Sequence, residues 1–239
     1  MSSTENPTRR AFLSFAGLGA ASMLASCASS AGPRTPGSTM ADIRNGVGQM
    51  FSAPVGAAEL NAMYGEMVDG GYVIPAVPYE RIPARFYRQR VVDPTGEAPG
   101  TIVVDTPSRF LYLVESGGTA MRYGVGIGRD GFAWQGVGVI QWRQKWPKWT
   151  PPDEMIARQP ELAKYSSANG GKPPGLDNPL GARALYIFQN GQDTLYRLHG
   201  SPEWNSIGKA VSSGCVRLMN QDIIDLYNRA EVGAKVIVK

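Results

Sequence analysis

The run Arg183-Ala184-Leu185-Tyr186-Ile187-Phe188-Gln189-Asn190-Gly191-Gln192-Asp193-Thr194-Leu195-Tyr196-Arg197-Leu198-His199-Gly200-Ser201 decides the fold. Two apolar, aromatic-rich halves flank Asn190-Gly191, the pair best suited to a tight hairpin turn because both of its residues tolerate positive φ. Residues 183–189 and 194–199 therefore read as paired strands. The second strand delivers His199 to its end, beside Gly200, where the chain can turn sharply and leave a backbone carbonyl open. His199 is the only histidine in 239 residues. Further along comes Ser212-Ser213-Gly214-Cys215-Val216-Arg217-Leu218, which holds one of the two cysteines.

His199 and Cys215 stand 16 positions apart, too far for one helix face. The spacing suits a base at a strand end and a nucleophile on a following loop. A thiol of pKa ~8.5 is mostly protonated at neutral pH, and the thiolate is the attacking species. A nearby imidazole remedies this by taking the proton. Gly214 keeps bulk away from the sulfur, and the amides around Cys215 can hold an oxyanion. Taken singly, a strand histidine is more often a hydrogen-bonded structural residue, and a lone cysteine a small buried hydrophobe. The two motifs together are more specific.

His-Gly-Ser followed by Ser-x-Gly-Cys-hydrophobic-Arg resembles the L,D-transpeptidase catalytic-domain family of bacterial cell-wall enzymes. The family pattern is a histidine, then Ser/Thr-His-Gly-Cys-hydrophobic-Arg/Asn. The resemblance runs from about residue 100 to 239 and implies a mainly β, sandwich-like catalytic domain with a few short helices. It makes Cys215 the nucleophile, His199 the base and the Gly200 carbonyl the group that orients it. It also makes the N–H groups of Ser213, Gly214 and Cys215 oxyanion donors. Ser213 departs from the pattern, standing where a second histidine is usual. Arg217 is a candidate for a substrate carboxylate, because its fork suits bidentate binding; the alternative is a structural ion pair. Tyr196, Ser212 and Trp149 are further candidates for contacting substrate.

The start of the chain reads as an address. Thr8-Arg9-Arg10-Ala11-Phe12-Leu13 resembles a twin-arginine signal, followed by an apolar run over 16–25. That run is shorter than the ~20 residues of a permanent span. Leu24-Ala25-Ser26-Cys27 resembles a lipobox, which makes Cys27 the lipidation site; the alternative is an ordinary cleavage site over 28–31. Cleavage before Cys27 removes Arg9, Arg10 and Glu5 and leaves 22 basic and 19 acidic side chains. A mildly basic surface favours anionic polymers, but no basic run points to nucleic acid. With Cys27 lipidated or discarded, Cys215 is the one cysteine of the mature chain and a candidate nucleophile. One histidine and one cysteine fall short of a zinc ligand set, so no metal or cofactor is expected.

The 29 glycines and 18 prolines favour turns over long helices. Residues 28–58 read as a flexible tether. Residues 59–69 read as a short amphipathic helix closed by Gly70-Gly71, and 72–99 as an extended arm wrapping the domain. Residues 101–105 and 110–114 read as a hairpin, with 121–127 and further strand to 141 behind it. The stretch 141–149 interleaves Trp142, Trp146 and Trp149 with Arg143, Lys145 and Lys148, as a packed corner with cation–π contacts or as a groove wall. Thr150 reads as the N-cap of a helix to about residue 164. Residues 165–179 form a long loop able to act as a lid. Asn220 reads as the cap of a helix with Ile223, Ile224 and Tyr227 inward, and Lys235–Val238 as a last strand.

These readings define a lipid-tethered periplasmic protein, with the outer membrane the favoured location. Its expected work is peptidoglycan L,D-transpeptidation through a Cys215 thioester on tetrapeptide stems, with a stem amine or an envelope protein as acceptor. The rivals are an L,D-carboxypeptidase or endopeptidase on the same stems, and a non-catalytic peptidoglycan-binding protein.

Overall fold

A computed structural model describes residues 55–128, 134–212 and 214–239, all within one unit, Thr39–Lys239. The signal-like segment, Cys27, most of the tether and Ser213 lie outside the described residues, as does the side chain of Ser212.

The described chain enters through helix α1 (Ala57–Tyr64), which buries Leu60 and Tyr64. The helix is shorter than its periodicity suggests. Gly65 leaves it in an extended conformation, and Met67 and Val68 join a hairpin, β1 (Met67–Asp69) with β2 (Tyr72–Ile74). Gly70 and Gly71, both at positive φ, form its turn rather than a helix stop; local turn chemistry overrides the weak helical pattern. Two short 3-10 turns, Tyr79–Arg81 and Ala84–Phe86, follow. The arm then ends in β3 (Gln89–Val92), a strand of the main sheet.

The main sheet continues with β4 (Ile102–Asp105), β5 (Phe110–Val114) and β6 (Thr119–Gly124) as consecutive antiparallel neighbours. The short β7 (Ile127–Gly128) precedes the long β8 (Gly136–Lys145). After the connection come β9 (Arg183–Gln189) and β10 (Gln192–Ser201), whose hairpin turns at Asn190 and Gly191, both at positive φ. Then come β11 (Ala210–Ser212), β12 (Val216–Met219), helix α3 (Asn220–Arg229) and β13 (Lys235–Val238). The nine-stranded order is β12-β10-β9-β8-β13-β4-β5-β6-β3, with β11 pairing separately to β7. The sheet folds back on itself: Gly126, just past β6, exchanges two backbone hydrogen bonds of 2.9 and 2.8 Å with Arg217 at the far edge strand. That closure gives the sandwich-like, mainly β architecture. Leu111, Tyr123, Ile140, Leu185, Leu198 and Val216 meet in one core, sealed by Ile223 and Leu226 of α3. Each such buried aliphatic side chain contributes roughly 1.5–3 kcal/mol.

Two helix readings are corrected. The connection holds helix α2 (Asp153–Arg158) and a separate 3-10 turn, Pro160–Tyr165. Pro160 lacks an N–H and clashes with the preceding turn, so one helix cannot run to 164. Pro152, not Thr150, precedes α2, without a side-chain cap. Nor does Asn220 cap α3: its Oδ1 accepts the Ala182 N–H at 3.0 Å, tying the helix start to the chain ahead of β9. Among the tryptophans, Trp146 is a buried corner whose Nε1 donates to Asp69 at 2.8 Å. Trp142 stacks on Tyr186 with centroids 3.7 Å apart. The cation–π contacts of this stretch go to tyrosine instead, with Arg143 over Tyr227.

Candidate active site

Strands β10 and β12 run parallel, with Leu198 opposite Val216 and His199 opposite Arg217. Leu198 and Val216 point into the core. Alternation along a strand then puts His199 and Arg217 on the other face. Cys215 immediately precedes β12, so the parallel pairing brings nucleophile and base candidates to one end of one strand pair.

His199 is 4 % exposed, and its Nδ1 lies 2.6 Å from the Gly200 carbonyl. A carbonyl only accepts, so Nδ1 carries the proton and Nε2 keeps its lone pair. Burial lowers the imidazole pKa to about 4; the Gly200 carbonyl opposes this, and Arg217 and Arg197 add to it. The ring is therefore neutral at physiological pH, with Nε2 as its acceptor nitrogen. Gly200 admits no side chain, because a Cβ there would collide with Asn220 Oδ1 and Ile223. The Pro179 carbonyl also acts on the ring, which brings the end of the long loop to the histidine. Asn178 anchors that loop, fully buried. Its Nδ2 donates to the carbonyls of Pro147, Lys172 and Pro173, and its Oδ1 accepts from Leu180 N–H at 2.9 Å.

Burial raises the Cys215 thiol pKa, opposed by the Arg197 backbone N–H and by the charges of Arg197 and Arg217. The Sγ lies 4.0 Å from the Leu195 carbonyl. His199 and Cys215 thus feel the same two arginines from the same strand pair. The preceding Gly214 sits at φ +129°, which side-chain-bearing residues rarely adopt. A Cβ there would make only ordinary contact with Tyr196, so backbone conformation and not space calls for glycine.

The strand opposite the thiol is irregular. Between Asp193 and Arg197 the β9–β10 register shifts, and Leu195 takes φ +62°. Asp193 holds this bulge, accepting both forks of Arg197 at 2.7 Å and the Leu195 N–H at 2.8 Å. Tyr196 emerges from it against Trp134, their rings stacked with centroids 6.0 Å apart. Burial raises the Tyr196 phenol pKa, and Cys215 adds to the effect.

The other candidates fall as follows. Arg217 makes a 2.5 Å ion pair with Glu203, whose side chain is largely exposed. Trp149 packs against Tyr165 and pairs its backbone with Lys172, on the wall made by the long connection. The backbone of Ser212 lies in β11 opposite Gly128. Sequence reasoning passed over Glu203, Trp134, Arg197 and Asn178. Glu203 and Arg197 bear no motif, Trp134 stands outside the tryptophan cluster, and Asn178 resembles any loop asparagine.

The family model of the L,D-transpeptidase catalytic domain matches residues 99–238, and the chain belongs to that family. It is 32 % identical over 152 residues to the probable L,D-transpeptidase ErfK/SrfK of Escherichia coli K12, covering 62 % of this chain and 46 % of that protein. The chain thus spans about half the length of that curated relative. Among solved structures it is 42 % identical to a Brucella melitensis protein named as a probable carnitine operon oxidoreductase. That match covers 68 % of this chain and 99 % of that one, with a TM-score of 0.46. An L,D-transpeptidase from Mycobacterium smegmatis is 19 % identical, covering 58 % of each chain, with a TM-score of 0.43.

Proposed function

We propose that this protein acylates Cys215 with a peptidoglycan tetrapeptide stem and passes the acyl group to an amine. The Cys215 S–H proton moves to His199 Nε2 as sulfur bonds to the carbonyl carbon ahead of the terminal D-Ala. The C–N bond then breaks, and the leaving amine takes that proton from the imidazolium. An acceptor amine, on another stem or on an envelope protein, attacks the thioester as it gives up a proton to His199. The C–S bond breaks, and the Cys215 thiolate takes that proton back from the imidazolium. The supporting observation is the Gly200 carbonyl on His199 Nδ1, which reserves Nε2 for proton transfer. With the imidazole pKa held low and the thiol pKa held high, the resting pair is neutral, and the proton moves during attack. Backbone N–H groups at Ser213, Gly214 and Cys215 serve the oxyanion. Arg217 takes a substrate carboxylate by exchanging it for Glu203, and Tyr196, Ser212 and Trp149 are further candidates for contacting substrate.

Intact-mass measurement after carbapenem treatment tests the acylation: one adduct, mapped to the Cys215 peptide and absent from Cys215→Ala, is expected. An unmodified protein would leave the non-catalytic wall-binding reading in its place. Product masses from tetrapeptide stems separate transfer from hydrolysis, since water in place of the amine gives a carboxypeptidase or endopeptidase. Export and diacylation of Cys27 complete the proposal and place the protein on the periplasmic side of a membrane, the outer one favoured. Two acyl chains suffice for stable anchoring. A native N-terminus starting unmodified at or beyond Ala28 would refute the anchor.

A further inference from the structure

The arm lies ahead of the family match, yet it is built into the domain. Phe86 is buried, and a Cβ on either Gly124 or Gly208 would collide with it. Docking Phe86 closes a cleft of about 320 Å³ against the β4–β5 turn, lined by Arg85, Phe86, Pro107, Ser108, Arg109, Phe110 and Gly208.

This cleft holds uncompensated positive charge. Among the described residues, no carboxylate lies within ion-pair distance of Arg85, Arg109 or the adjoining Arg122. Arg85 lies over the Phe86 ring, and Arg122 lies over Phe110 while donating to the Arg85 carbonyl at 3.0 Å. Arg109 spends one nitrogen on the Pro107 carbonyl at 3.0 Å, while its buried Nε has no partner. Burial lowers the Arg122 pKa, with Tyr112 opposing, so the fold carries a desolvated cation here with no acid paired to it among the described residues. Arg109 also sits at φ +60°, a strained conformation for a side-chain-bearing residue. The nearest acid in the turn, Asp105, accepts the Ser108 N–H at 3.1 Å. A larger cleft of about 630 Å³ makes the contrast: its Arg90 and Arg229 both reach Glu115.

Backbone bonds connect the cationic cleft to the active site. The Val125 N–H donates to the Arg109 carbonyl, Gly208 donates to Val125, and the next residue, Gly126, pairs with Arg217. Arg217 is two positions from Cys215. The cleft and Cys215 are thus joined through one run of backbone neighbours.

We propose that the cleft between the arm and the β4–β5 turn is an oxyanion-binding subsite, taking a carboxylate or a phosphate through Arg85 and Arg109. Where the ligand is a carboxylate of the acyl-donor peptide, the proposal rests on the transpeptidase reading above. The arm's role is then to supply Arg85 and to hold the cleft shut from one side through Phe86. Guanidinium forks suit such planar or tetrahedral anions.

The test follows the arginine Nε–H signals of the full chain by NMR while inorganic phosphate or acetate is added. Arg85 and Arg109 should shift along a saturating curve, and Arg90, already paired with Glu115, should not. In Arg109→Gln the Arg85 response should weaken about tenfold, as for loss of a charged hydrogen bond, with the Arg90 signal unchanged as a check on folding. No saturable shift at Arg85 and Arg109, or an equal shift at Arg90, overturns the proposal. The second arm separates the sources by comparing KM for a tetrapeptide stem with KM for the same stem with amidated carboxyls. If Arg109→Gln raises KM about threefold to tenfold for the free stem only, the ligand is the peptide's carboxylate. If phosphate saturates the site and KM does not move, the ligand is a phosphate group. Carbapenem trapping by the unaltered protein reports separately on the catalytic reading, so failure of one is not failure of the other.

Discussion

Two regions of this protein bury a titratable group, and burial moves the two in opposite directions. On the β10–β12 pair it lowers the pKa of His199 to about 4. At the seam between the arm and α3 it raises that of Asp222 to about 7, with Arg88 opposing. The cause is the same, since low-dielectric surroundings disfavour the charged form whichever sign it has. The consequences differ with the neighbours. His199 has the Gly200 carbonyl on Nδ1 and keeps its Nε2 lone pair, the arrangement the proposed base requires. Asp222 is enclosed: Tyr64 O–H donates to its Oδ2 at 3.4 Å, and Arg88 Nη1 stands 3.4 Å from Oδ1 without hydrogen-bond geometry. Tyr64 O–H in turn accepts the Arg88 N–H at 2.7 Å. On the strand pair burial leaves a neutral imidazole, and at the seam it leaves a carboxyl tied to the arm through Arg88.

The largest effects should come from the strand pair. Cys215→Ala is expected to abolish acylation, and His199→Ala to slow it about 10²–10⁴-fold, read as the rate of carbapenem adduct formation by mass. A slower adduct at the same cysteine separates loss of the base from loss of the nucleophile, because a thiol keeps some thiolate without its base.

Next in size is the arm. Phe86→Ala removes a buried ring pressed on two glycines and should cost about 3–5 kcal/mol in denaturant unfolding. If the loss is under about 1 kcal/mol, the arm is not part of the cooperative unit, and the two regions do not share one fold.

The pH dependence of stability sharpens the contrast. An unfolded histidine binds protons below its ordinary pKa of 6.5, whereas native His199 does so only near 4, so this group destabilises the fold as pH falls from 6.5 to 4. Asp222 acts oppositely. The native carboxyl keeps its proton up to about 7 while the unfolded one loses it near 3.8, so stability is lost as pH rises between those values. At ~1.4 kcal/mol per pKa unit the effect is on the order of 3 kcal/mol for His199 and about 4 kcal/mol for Asp222. His199→Gln should flatten the acid side of the stability profile, and Asp222→Asn should flatten the decline towards pH 7 and leave the protein more stable above it. If neither substitution changes the slope in its own window, burial is not what sets these two groups.

The smallest effect is expected at Ser213. If this residue serves through its backbone N–H, Ser213→Ala keeps most activity. A loss of ~10²–10³, the usual cost of one oxyanion donor, would instead assign the work to its hydroxyl.

The strands were legible because alternation and turn chemistry are local. Asn190-Gly191 announces the hairpin, and the apolar runs at 102–105, 110–114 and 235–238 announce their strands. Misreadings came where a long-range contact outbid a local signal. Asn220 has the side chain of a cap, but its oxygen is claimed by Ala182, 38 positions away. Gly70 looks like a helix stop, yet it turns a hairpin and lies against the indole of Trp146. Asp222, on the helix that starts at Asn220, is wholly buried, because Tyr64 of α1 and Arg88 of the arm cover it.

The sequence by itself determined the chemistry on offer: one histidine, one cysteine outside the signal-like segment, and a glycine beside each. Residue type and near-neighbour conformation decide those properties, and both are written in order along the chain. Only the tertiary structure decided which groups are desolvated and which cations lack acids. Whether Arg217 meets Glu203, or Arg109 meets no carboxylate among the described residues, depends on which strands and loops the sheet brings together when it closes at Gly126. Burial and pairing depend on everything within a few ångströms. Those neighbours come from positions far apart in sequence, so no reading along the chain assembles them.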